Sequence, residues 1–204
     1  MSEISKRDYR QRAHANPFKD VDVSIPLNPS RINWYDHFDN GKPPVFLDIG
    51  CGYGKFIMDL AKEHTKNVLG LEIRNKVTEY VKAKIKEKQL TNCAVIKTNA
   101  LLFLVNFFEK NSLEKIFQKG RIICKQMIST LEYILNNNGR LYISTDVKSL
   151  YDDMVNTILN SKLFKKVEEE DKDLYYSLTY KNTDEAMRAG IKTGETFACI
   201  FEKI

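Results

Sequence analysis

The sequence predicts an α/β fold built on a mostly parallel, doubly wound sheet that ends in an antiparallel pair of strands. Short apolar runs alternate with segments of helical periodicity over residues 45–160, which is the pattern of repeated β-α units. A glycine-rich turn follows the first of these strands directly. Two more apolar runs follow the last predicted helix with no further helix between them, and they predict the antiparallel pair.

The predicted strands are short, largely aliphatic runs bounded by polar residues or glycine: 45–49, 68–73, 93–96, 139–144, 164–169 and 196–202. The predicted helices share apolar residues at i, i+3 and i+4: 55–62, 75–89, 100–110, 121–136 and 147–160. Residues 1–40 are polar and interrupted by prolines, and we interpret them as an N-terminal arm followed by extended chain. We expect one domain over residues 1–204.

One strand is missing from this prediction. Between the helices at 100–110 and 121–136 the alternation requires a strand, but only Leu113–Phe117 is present before the polar residues that begin at Gln118. Loss of a central strand would disrupt a parallel sheet. We therefore expect that a segment has been omitted between Phe117 and Gln118, in preference to a rearranged fold or a true deletion.

Composition narrows the class of protein. The chain of 204 residues contains 43% hydrophobic residues, enough for a sizeable core, and carries a net charge of +5, which mildly favours a polyanionic partner. No apolar run approaches the roughly 20 residues that span a membrane, and the N-terminus is charged, so neither a membrane segment nor a secretory signal is expected. The four cysteines form no C-x-x-C pair; we expect reduced thiols, with Cys93 and Cys199 in buried strands, and no metal site.

The glycine-rich turn is Asp48-Ile49-Gly50-Cys51-Gly52-Tyr53-Gly54, a G-x-G-x-G pattern between a predicted strand and a predicted helix. Glu72 ends the second strand, where a carboxylate can accept hydrogen bonds from ribose hydroxyls. A dinucleotide site requires a further glycine where this chain has Lys55, and a pyrophosphate is poorly compatible with Asp48. The cationic methionine end of S-adenosylmethionine suits Asp48 much better. We therefore predict an S-adenosylmethionine site that includes Asp48, Gly50, Gly52 and Glu72.

Three of these assignments have simpler structural alternatives. Glu72 could be a solvent-facing strand end. Asn99-Ala100 follows the third strand and could contact the adenine edge or cap the next helix. Thr145-Asp146 ends a later strand, where it could face the substrate or cap the helix that follows.

The ordered set of motifs resembles the tRNA (guanine-N7-)-methyltransferases. The residues that carry the resemblance are 10–17 (Arg-Gln-Arg-Ala-His-Ala-Asn-Pro), Asp48–Gly54, Gly70-Leu71-Glu72-Ile73-Arg74, Thr98-Asn99-Ala100 and Ser144-Thr145-Asp146-Val147. They cover most of the chain in the family's order. The Arg-Gln-Arg-Ala-His stretch is similar to the eukaryotic branch, whose catalytic subunit works with a WD-repeat subunit.

The resemblance implies a Rossmann-like S-adenosylmethionine-dependent methyltransferase that modifies a guanosine in the variable loop of tRNA. It implies a heterodimer with the WD-repeat partner and a location in the nucleus, with the cytoplasm left open as a second location. The residues it assigns to the cofactor are Gly50, Glu72, Ile73, Arg74, Asn99, Ala100, Thr183 and Glu185. Without the family, Asn182 and Glu185 are better explained as a capping-box-like helix start.

The chain departs from the family at the point where the predicted strand is incomplete. The family's Phe-Pro-Asp-Pro-His-type loop, which supplies its presumed catalytic aspartate, is absent after Phe117. Asp146 is the remaining candidate catalytic residue. A non-catalytic RNA-binding subunit, or a methyltransferase with another substrate, remains an alternative function.

Contacts with tRNA are expected from basic residues of the N-terminal arm and of the segment after Phe117. The candidates are Arg10, Arg12, Lys119, Arg121 and Lys125.

Overall fold

The computed structural model describes residues 4–11, 25–119, 123–168, 170–176, 178 and 196–204. Within them the chain forms two compact units, Met1–Phe107 and Phe108–Ile204. Three short 3-10 helices, Pro29–Arg31, Trp34–Asp36 and Glu170–Lys172, accompany the longer elements. No described helix is both long enough and apolar enough to cross a membrane.

The first unit contains three parallel strands in the order β3-β2-β1. Their bounds are Phe46–Ile49 for β1, Val68–Glu72 for β2 and Cys93–Lys97 for β3. Helices α1, α2 and α3 span Lys55–Glu63, Asn75–Glu87 and Ala100–Phe107. Strands β1 and β2 are buried at every position, as expected for strands covered on both faces. Each strand is followed by a helix, so the β-α alternation predicted from the sequence is confirmed here.

The described part of the second unit contains four strands in the order β4-β5-β7-β6. They span Leu113–Lys119 (β4), Leu135–Thr145 (β5), Phe164–Lys166 (β6) and Phe197–Lys203 (β7), and the helices span Lys125–Ile134 (α4) and Lys148–Asn160 (α5). Strand β5 is parallel to β4, whereas β7 is antiparallel to both β5 and β6. The described strands of the first unit are all parallel, and the second unit adds a parallel pair and the antiparallel pair of β6 and β7, so the predicted fold class with its C-terminal antiparallel pair is confirmed.

Strand β4 corrects the expectation that a central strand is truncated. The strand runs without interruption through Phe117 and Gln118, which pair with Tyr142 and Ile143 of β5. Backbone pairing does not require apolar side chains, so the polar residues after Phe117 extend the strand even though its apolar run is short. The extension places the Gln118 side chain in a fully buried position, where its Oε1 accepts no hydrogen bond from the described residues.

A buried lysine ties the end of the second unit to its centre. The Lys203 ammonium, on β7, lies 2.9 Å from the Asn111 side-chain oxygen, 2.7 and 2.8 Å from the carbonyl oxygens of Glu132 and Leu135, and 2.9 Å from the Glu132 carboxylate. Its charge is therefore compensated by one carboxylate and its three protons by several acceptors. This arrangement fixes the antiparallel strand against the junction of α4 and β5.

Candidate active site

The turn after β1 is shaped by three glycines in the left-handed region, Gly50, Gly52 and Gly54, with φ angles of +75°, +55° and +72°. The backbone N–H groups of Gly50 and Cys51 donate to the carbonyl oxygen of Leu71 at 2.9 and 3.0 Å, which anchors the turn to the end of β2. Helix α1 begins directly afterwards. The turn is therefore a rigid loop between a buried strand and a helix N-terminus, as its sequence predicts.

The glycines face different surroundings. Among the described residues, a Cβ atom on Gly50 would meet no other atom within 4 Å, and one on Gly52 would approach only the Arg74 Nη2 atom, at 3.8 Å. A Cβ on Gly54, in contrast, would lie 2.6 Å from Cγ1 of Val81 on α2. Gly54 is therefore needed for packing of the helix, whereas Gly50 exposes open backbone that a ligand can approach closely.

Two buried carboxylates flank this loop. Asp48, in β1, is only 1% exposed, and Glu72, at the end of β2, is 4% exposed. Glu72 is therefore not the solvent-facing strand end that the sequence left open. Burying an ionised carboxylate is unfavourable unless a cation or several hydrogen-bond donors compensate it. A concentration of negative charge beside an open backbone loop suits a ligand that is itself cationic and rich in hydroxyl groups.

Arg74 supplies part of that compensation for Glu72. Its Nε donates to Glu72 Oε1 at 3.0 Å and its Nη2 to Oε2 at 2.9 Å, and its backbone N–H donates to Oε1 at 2.9 Å. The hydrogen bond to Glu72 also raises the pKa of Arg74 above its ordinary value. This fork fixes the orientation of the Glu72 carboxylate, so Arg74 is a positioning residue for the carboxylate expected to bind ribose.

Asn99 immediately precedes the third helix of the first unit. Its side-chain oxygen accepts a hydrogen bond from the backbone N–H of Leu101 at 3.2 Å, and the Thr98 N–H donates to the carbonyl oxygen of Glu72 at 3.0 Å. The capping role considered from the sequence is therefore present. Thr98, Asn99 and Ala100 are all buried, and they follow β3 at the same edge of the first unit as Glu72.

The start of the N-terminal arm packs on the first unit. Gln11 accepts a hydrogen bond from the backbone N–H of Lys76 at 3.0 Å, and Tyr9 packs edge-on against Tyr80 of α2. Tyr80 in turn contacts Tyr53 of the glycine loop, at a centroid distance of 5.4 Å. The arm was expected to contact tRNA, and the aromatic residues interleaved with its charges are the sequence signal that it also packs on the first unit.

Asp146 follows the last residue of β5 and is exposed. The backbone N–H of Val147 donates to the Thr145 hydroxyl at 3.2 Å, and no side chain caps helix α5, which begins at Lys148. The capping alternative for Asp146 therefore does not apply, and its carboxylate is available at the carboxyl end of a parallel strand, the edge where ligands bind in such folds.

Sequence reasoning missed three side chains around Asp146. Lys148 and Tyr151 lie in the first turn of α5, and Phe197 begins β7 opposite Thr145. The Lys148 ammonium lies 5.4 Å from the Tyr151 ring centre and 5.7 Å from that of Phe197. Tyr151 and Phe197 are far apart in sequence, so only the β5–β7 register reveals their proximity.

The remaining predicted residues are placed as follows. Arg10, in the first unit, and Lys125, in the second, are exposed, and Lys119 at the end of β4 is half-buried. Ile73 is half-buried beside Glu72. The other predicted residues, Arg12, Arg121, Thr183 and Glu185, lie outside the described residues. Among the described residues, no group of histidine, cysteine and acidic side chains could hold a metal ion.

The described residues fit S-adenosylmethionine. The open backbone at Gly50 lets the cofactor approach closely. Asp48, a buried carboxylate near that loop, can balance the positive charge of the cofactor. Glu72, held by Arg74, presents acceptors for hydroxyl groups. Asp48 therefore suits the cationic part of the cofactor, and Glu72 suits its ribose.

Known proteins are similar to this chain over nearly its whole length. A curated tRNA (guanine-N(7)-)-methyltransferase of Caenorhabditis elegans is 34% identical, with 98% of this chain and 88% of the relative covered. The enzyme of the same description from Meyerozyma guilliermondii is 36% identical, with 98% and 84% covered. The alignment with the first relative extends over 225 residues, whereas this chain has 204, so at least 21 positions of the relative have no counterpart here.

The fold is also that of solved methyltransferases. A SAM-dependent methyltransferase from Aquifex aeolicus superposes with a TM-score of 0.56 at 13% identity, covering 81% of this chain and 86% of that protein. The methyltransferase family model described as "Putative methyltransferase" matches residues 42–199, which include the glycine loop, Glu72 and Asp146. The cofactor is S-adenosylmethionine, in agreement with the buried carboxylates around the loop. By identity and coverage, the chain belongs to the tRNA (guanine-N(7)-)-methyltransferase family.

Proposed function

We propose that this protein transfers the methyl group of S-adenosylmethionine to N7 of a guanosine in the variable loop of tRNA. The observation that carries the proposal is the similarity over 98% of the chain to curated tRNA (guanine-N(7)-)-methyltransferases, and the variable-loop position is the part that we add. The geometry of the first unit supports it, because the glycine loop, Asp48 and Glu72 suit this cofactor.

In the proposed reaction, bound S-adenosylmethionine supplies an electrophilic methyl group. The first unit holds the cofactor: Gly50 gives backbone access, Asp48 balances its positive charge, and Glu72, oriented by Arg74, accepts hydrogen bonds from its ribose hydroxyls. Residues Asn99 and Ala100 contact the adenine. These contacts contribute by fixing the position of the reacting group, since correct orientation alone lowers a reaction barrier by several kcal/mol.

Guanine N7 carries a lone pair and no proton, so the attack requires no general base. The role proposed for Asp146 is to accept hydrogen bonds from the N1–H and the 2-amino group of the guanine. Its carboxylate also favours the positive charge that develops on the purine. Asp146→Asn should therefore lower the methylation rate while leaving cofactor affinity unchanged, and a variant with the normal rate would remove Asp146 from the mechanism.

We further propose that the protein as made in the cell carries a segment between Phe117 and Gln118 that this sequence lacks. The alignment with a relative contains at least 21 positions without counterpart here, and the Gln118 amide oxygen is buried and accepts no hydrogen bond from the described residues. The catalytic aspartate of the family's loop would lie in that segment. The intact mass of protein purified from its native source tests this, because it should exceed 23.7 kDa. A mass equal to that value would contradict the omission.

The exposed surface of helix α3 supports the proposal that the protein binds a second subunit. Seven of the eight residues of this helix are apolar, yet Leu101, Leu102 and Val105 are exposed, Leu102 to 58%. Large apolar side chains exposed side by side on one helix are normally covered by a partner. We propose that a WD-repeat subunit covers this face. Leu102→Asp should abolish co-purification of the two subunits without changing cofactor affinity, whereas Leu159→Asp, at an exposed leucine of α5, should leave the pair intact.

We propose that tRNA docks on five basic residues: Arg10, Arg12, Lys119, Arg121 and Lys125. We also propose that the protein is located in the nucleus. Each lost phosphate contact should reduce the slope of log affinity against log salt by about one. Replacing Arg10 and Lys125 by alanine should therefore flatten the salt dependence of tRNA binding. An unchanged slope would remove these residues from the interface, and fluorescence microscopy of the tagged protein tests the location.

The specificity itself is tested with purified protein and two tRNA transcripts. One carries the variable-loop guanosine, and the matched control carries adenosine at that position. Chemical cleavage at 7-methylguanosine should occur only in the first transcript. Methylation of both transcripts, or of neither, would favour a different substrate or the alternative of a non-catalytic RNA-binding subunit.

A further inference from the structure

A cluster of two aromatic rings and one cation lies at the end of β5, next to Asp146. Phe197 is the first residue of β7 and pairs with Thr145, the residue immediately before Asp146. Tyr151 and Lys148 belong to the first turn of α5, which begins two residues after Asp146. The four side chains therefore come from adjoining ends of three elements of the second unit.

The two rings form a pair, and the ammonium lies over both. The ring centres of Tyr151 and Phe197 are 5.9 Å apart, with an angle of 39° between the planes. The Lys148 Nζ atom lies 5.4 and 5.7 Å from the two centres, within the range of a cation–π contact. Both rings are half-buried, and Lys148 is exposed. The cation is thus the outer layer, and the rings lie beneath it.

The position of the Tyr151 ring is fixed by the strand below it. The Tyr151 ring is half-buried and packs beside Phe197 of β7, and burial raises the pKa of the neighbouring Cys199 thiol on the same strand to about 12. Lys148 is held more loosely. Besides the rings it contacts only the exposed carboxylate of Asp152 among the described residues, one turn further along α5. A competing planar cation could therefore displace the ammonium while the rings stay in place.

The proposed reaction produces such a cation. The lone pair of guanine N7 forms a bond to the methyl carbon while the carbon–sulfur bond breaks and its electron pair passes to sulfur. The positive charge leaves the sulfur and appears on the purine, and no proton is transferred. A flat, positively charged purine is a strong partner for aromatic faces, since the negative face of the ring attracts the charge.

We propose that Tyr151 and Phe197 form a cation–π site that binds the guanine as it becomes positively charged, and that Lys148 occupies this site in the free protein. The inference rests on the proposed function. Asp146 at the same edge adds a carboxylate for the N1–H and the 2-amino group. Together these groups would favour the charged, methylated base over guanine, which is the discrimination that accelerates the reaction.

The test compares two inhibitors of tRNA methylation, 7-methylguanosine 5′-monophosphate and guanosine 5′-monophosphate, in the presence of S-adenosylhomocysteine. The wild-type protein should bind the first about 3- to 30-fold more tightly, the range expected of a cation–π contact. Tyr151→Leu should remove most of this preference and lower kcat more than it changes KM. Tyr151→Phe should keep the preference, because the ring and not the hydroxyl makes the contact.

One control variant shows whether the preference for the methylated nucleotide depends on this pair of rings, and a second variant tests the role of Lys148. Tyr133→Leu removes an exposed tyrosine of α4 outside the cluster and should leave the preference unchanged. Lys148→Met removes the competing cation and should strengthen binding of 7-methylguanosine 5′-monophosphate by a few fold. Weaker binding in that variant would identify Lys148 as a phosphate contact and overturn its assigned role.

An unchanged preference in Tyr151→Leu would overturn the cation–π site while methylation of tRNA persisted in the wild-type protein. A wild-type protein that binds S-adenosylhomocysteine but methylates no guanosine would instead contradict the proposed function. Tyr151→Leu is the deciding variant because Tyr151 lies in the first turn of α5 and is only half-buried, so its replacement should leave the protein folded.

Discussion

Alanine at Gly50 and alanine at Gly54 should have opposite consequences, although the two residues share nearly the same backbone conformation. Their φ angles are +75° and +72°, so each substitution carries a similar strain of about 1–2 kcal/mol for a left-handed residue. Part of this is offset, by about 0.4–1 kcal/mol, because alanine restricts the unfolded chain more than glycine does. The difference between the variants therefore comes from what the new Cβ meets.

At Gly50 the Cβ meets no atom of the described residues within 4 Å, so the net loss of stability should stay near or below about 1.5 kcal/mol. At Gly54 the Cβ would lie 2.6 Å from the buried Val81, and overpacking of this kind adds about 1–3 kcal/mol. For a protein of this size each kcal/mol lowers Tm by about 2–4 °C. Gly54→Ala should consequently melt several degrees below Gly50→Ala.

Cofactor binding should follow the reverse order. The methyl group of Gly50→Ala projects into the open space assigned to the cofactor, and we expect at least about a tenfold loss of affinity for S-adenosylhomocysteine, equivalent to about 1.4 kcal/mol. Isothermal titration of both folded variants, with thermal unfolding on the same samples, measures the two effects. Wild-type affinity in Gly50→Ala would refute the assignment of this loop surface to the cofactor.

Three other predictions concern buried groups. Glu72→Gln keeps the shape of the side chain but removes the charge that Arg74 and the ribose share, so cofactor affinity measured by titration should fall by about 10- to 100-fold, as expected for a charged hydrogen bond. An unchanged affinity would exclude Glu72 from the site. Lys203→Met leaves buried oxygens without their donor and should cost about 2–4 kcal/mol in urea unfolding, with cofactor affinity preserved; a loss below about 0.5 kcal/mol would contradict the network. Burial raises the pKa of Cys93 from 9.0 to about 12, so the folded state favours the protonated thiol. The free energy of unfolding should therefore decrease as pH rises from about 9 towards 12, by up to about 1.4 kcal/mol per pH unit for each such thiol, and Cys93→Ala should show a shallower decline than the wild type.

The β-α alternation could be predicted because parallel strands are buried on both faces and so appear as continuous apolar runs. This is how β1, β2 and β3 were located to within one residue of their observed ends. Strand β4 could not be predicted in full, since half of it is polar and its pairing with β5 depends on backbone hydrogen bonds. The same reasoning applies to β5, which was predicted over 139–144 but begins at Leu135, because three asparagines occupy its first part.

The cofactor loop could be predicted because its chemistry is local: glycines, Asp48 and Glu72 lie at fixed distances along the chain. The pairing of Glu72 with Arg74 required side-chain geometry, because a residue two positions away on a strand end can point in several directions. The aromatic pair beside Asp146 required the antiparallel register of β5 and β7, which joins residues from distant parts of the sequence.

The central claim is methyl transfer to guanine N7 of tRNA, and nucleoside analysis tests it most directly. Purified protein is incubated with unmodified tRNA and S-adenosylmethionine carrying a deuterated methyl group, and the digested tRNA is analysed by mass spectrometry. We predict deuterated 7-methylguanosine as the methylated product, and its loss in Gly50→Ala. A deuterated methyl group on any other nucleoside, or none at all from protein shown to bind the cofactor, would contradict the claim.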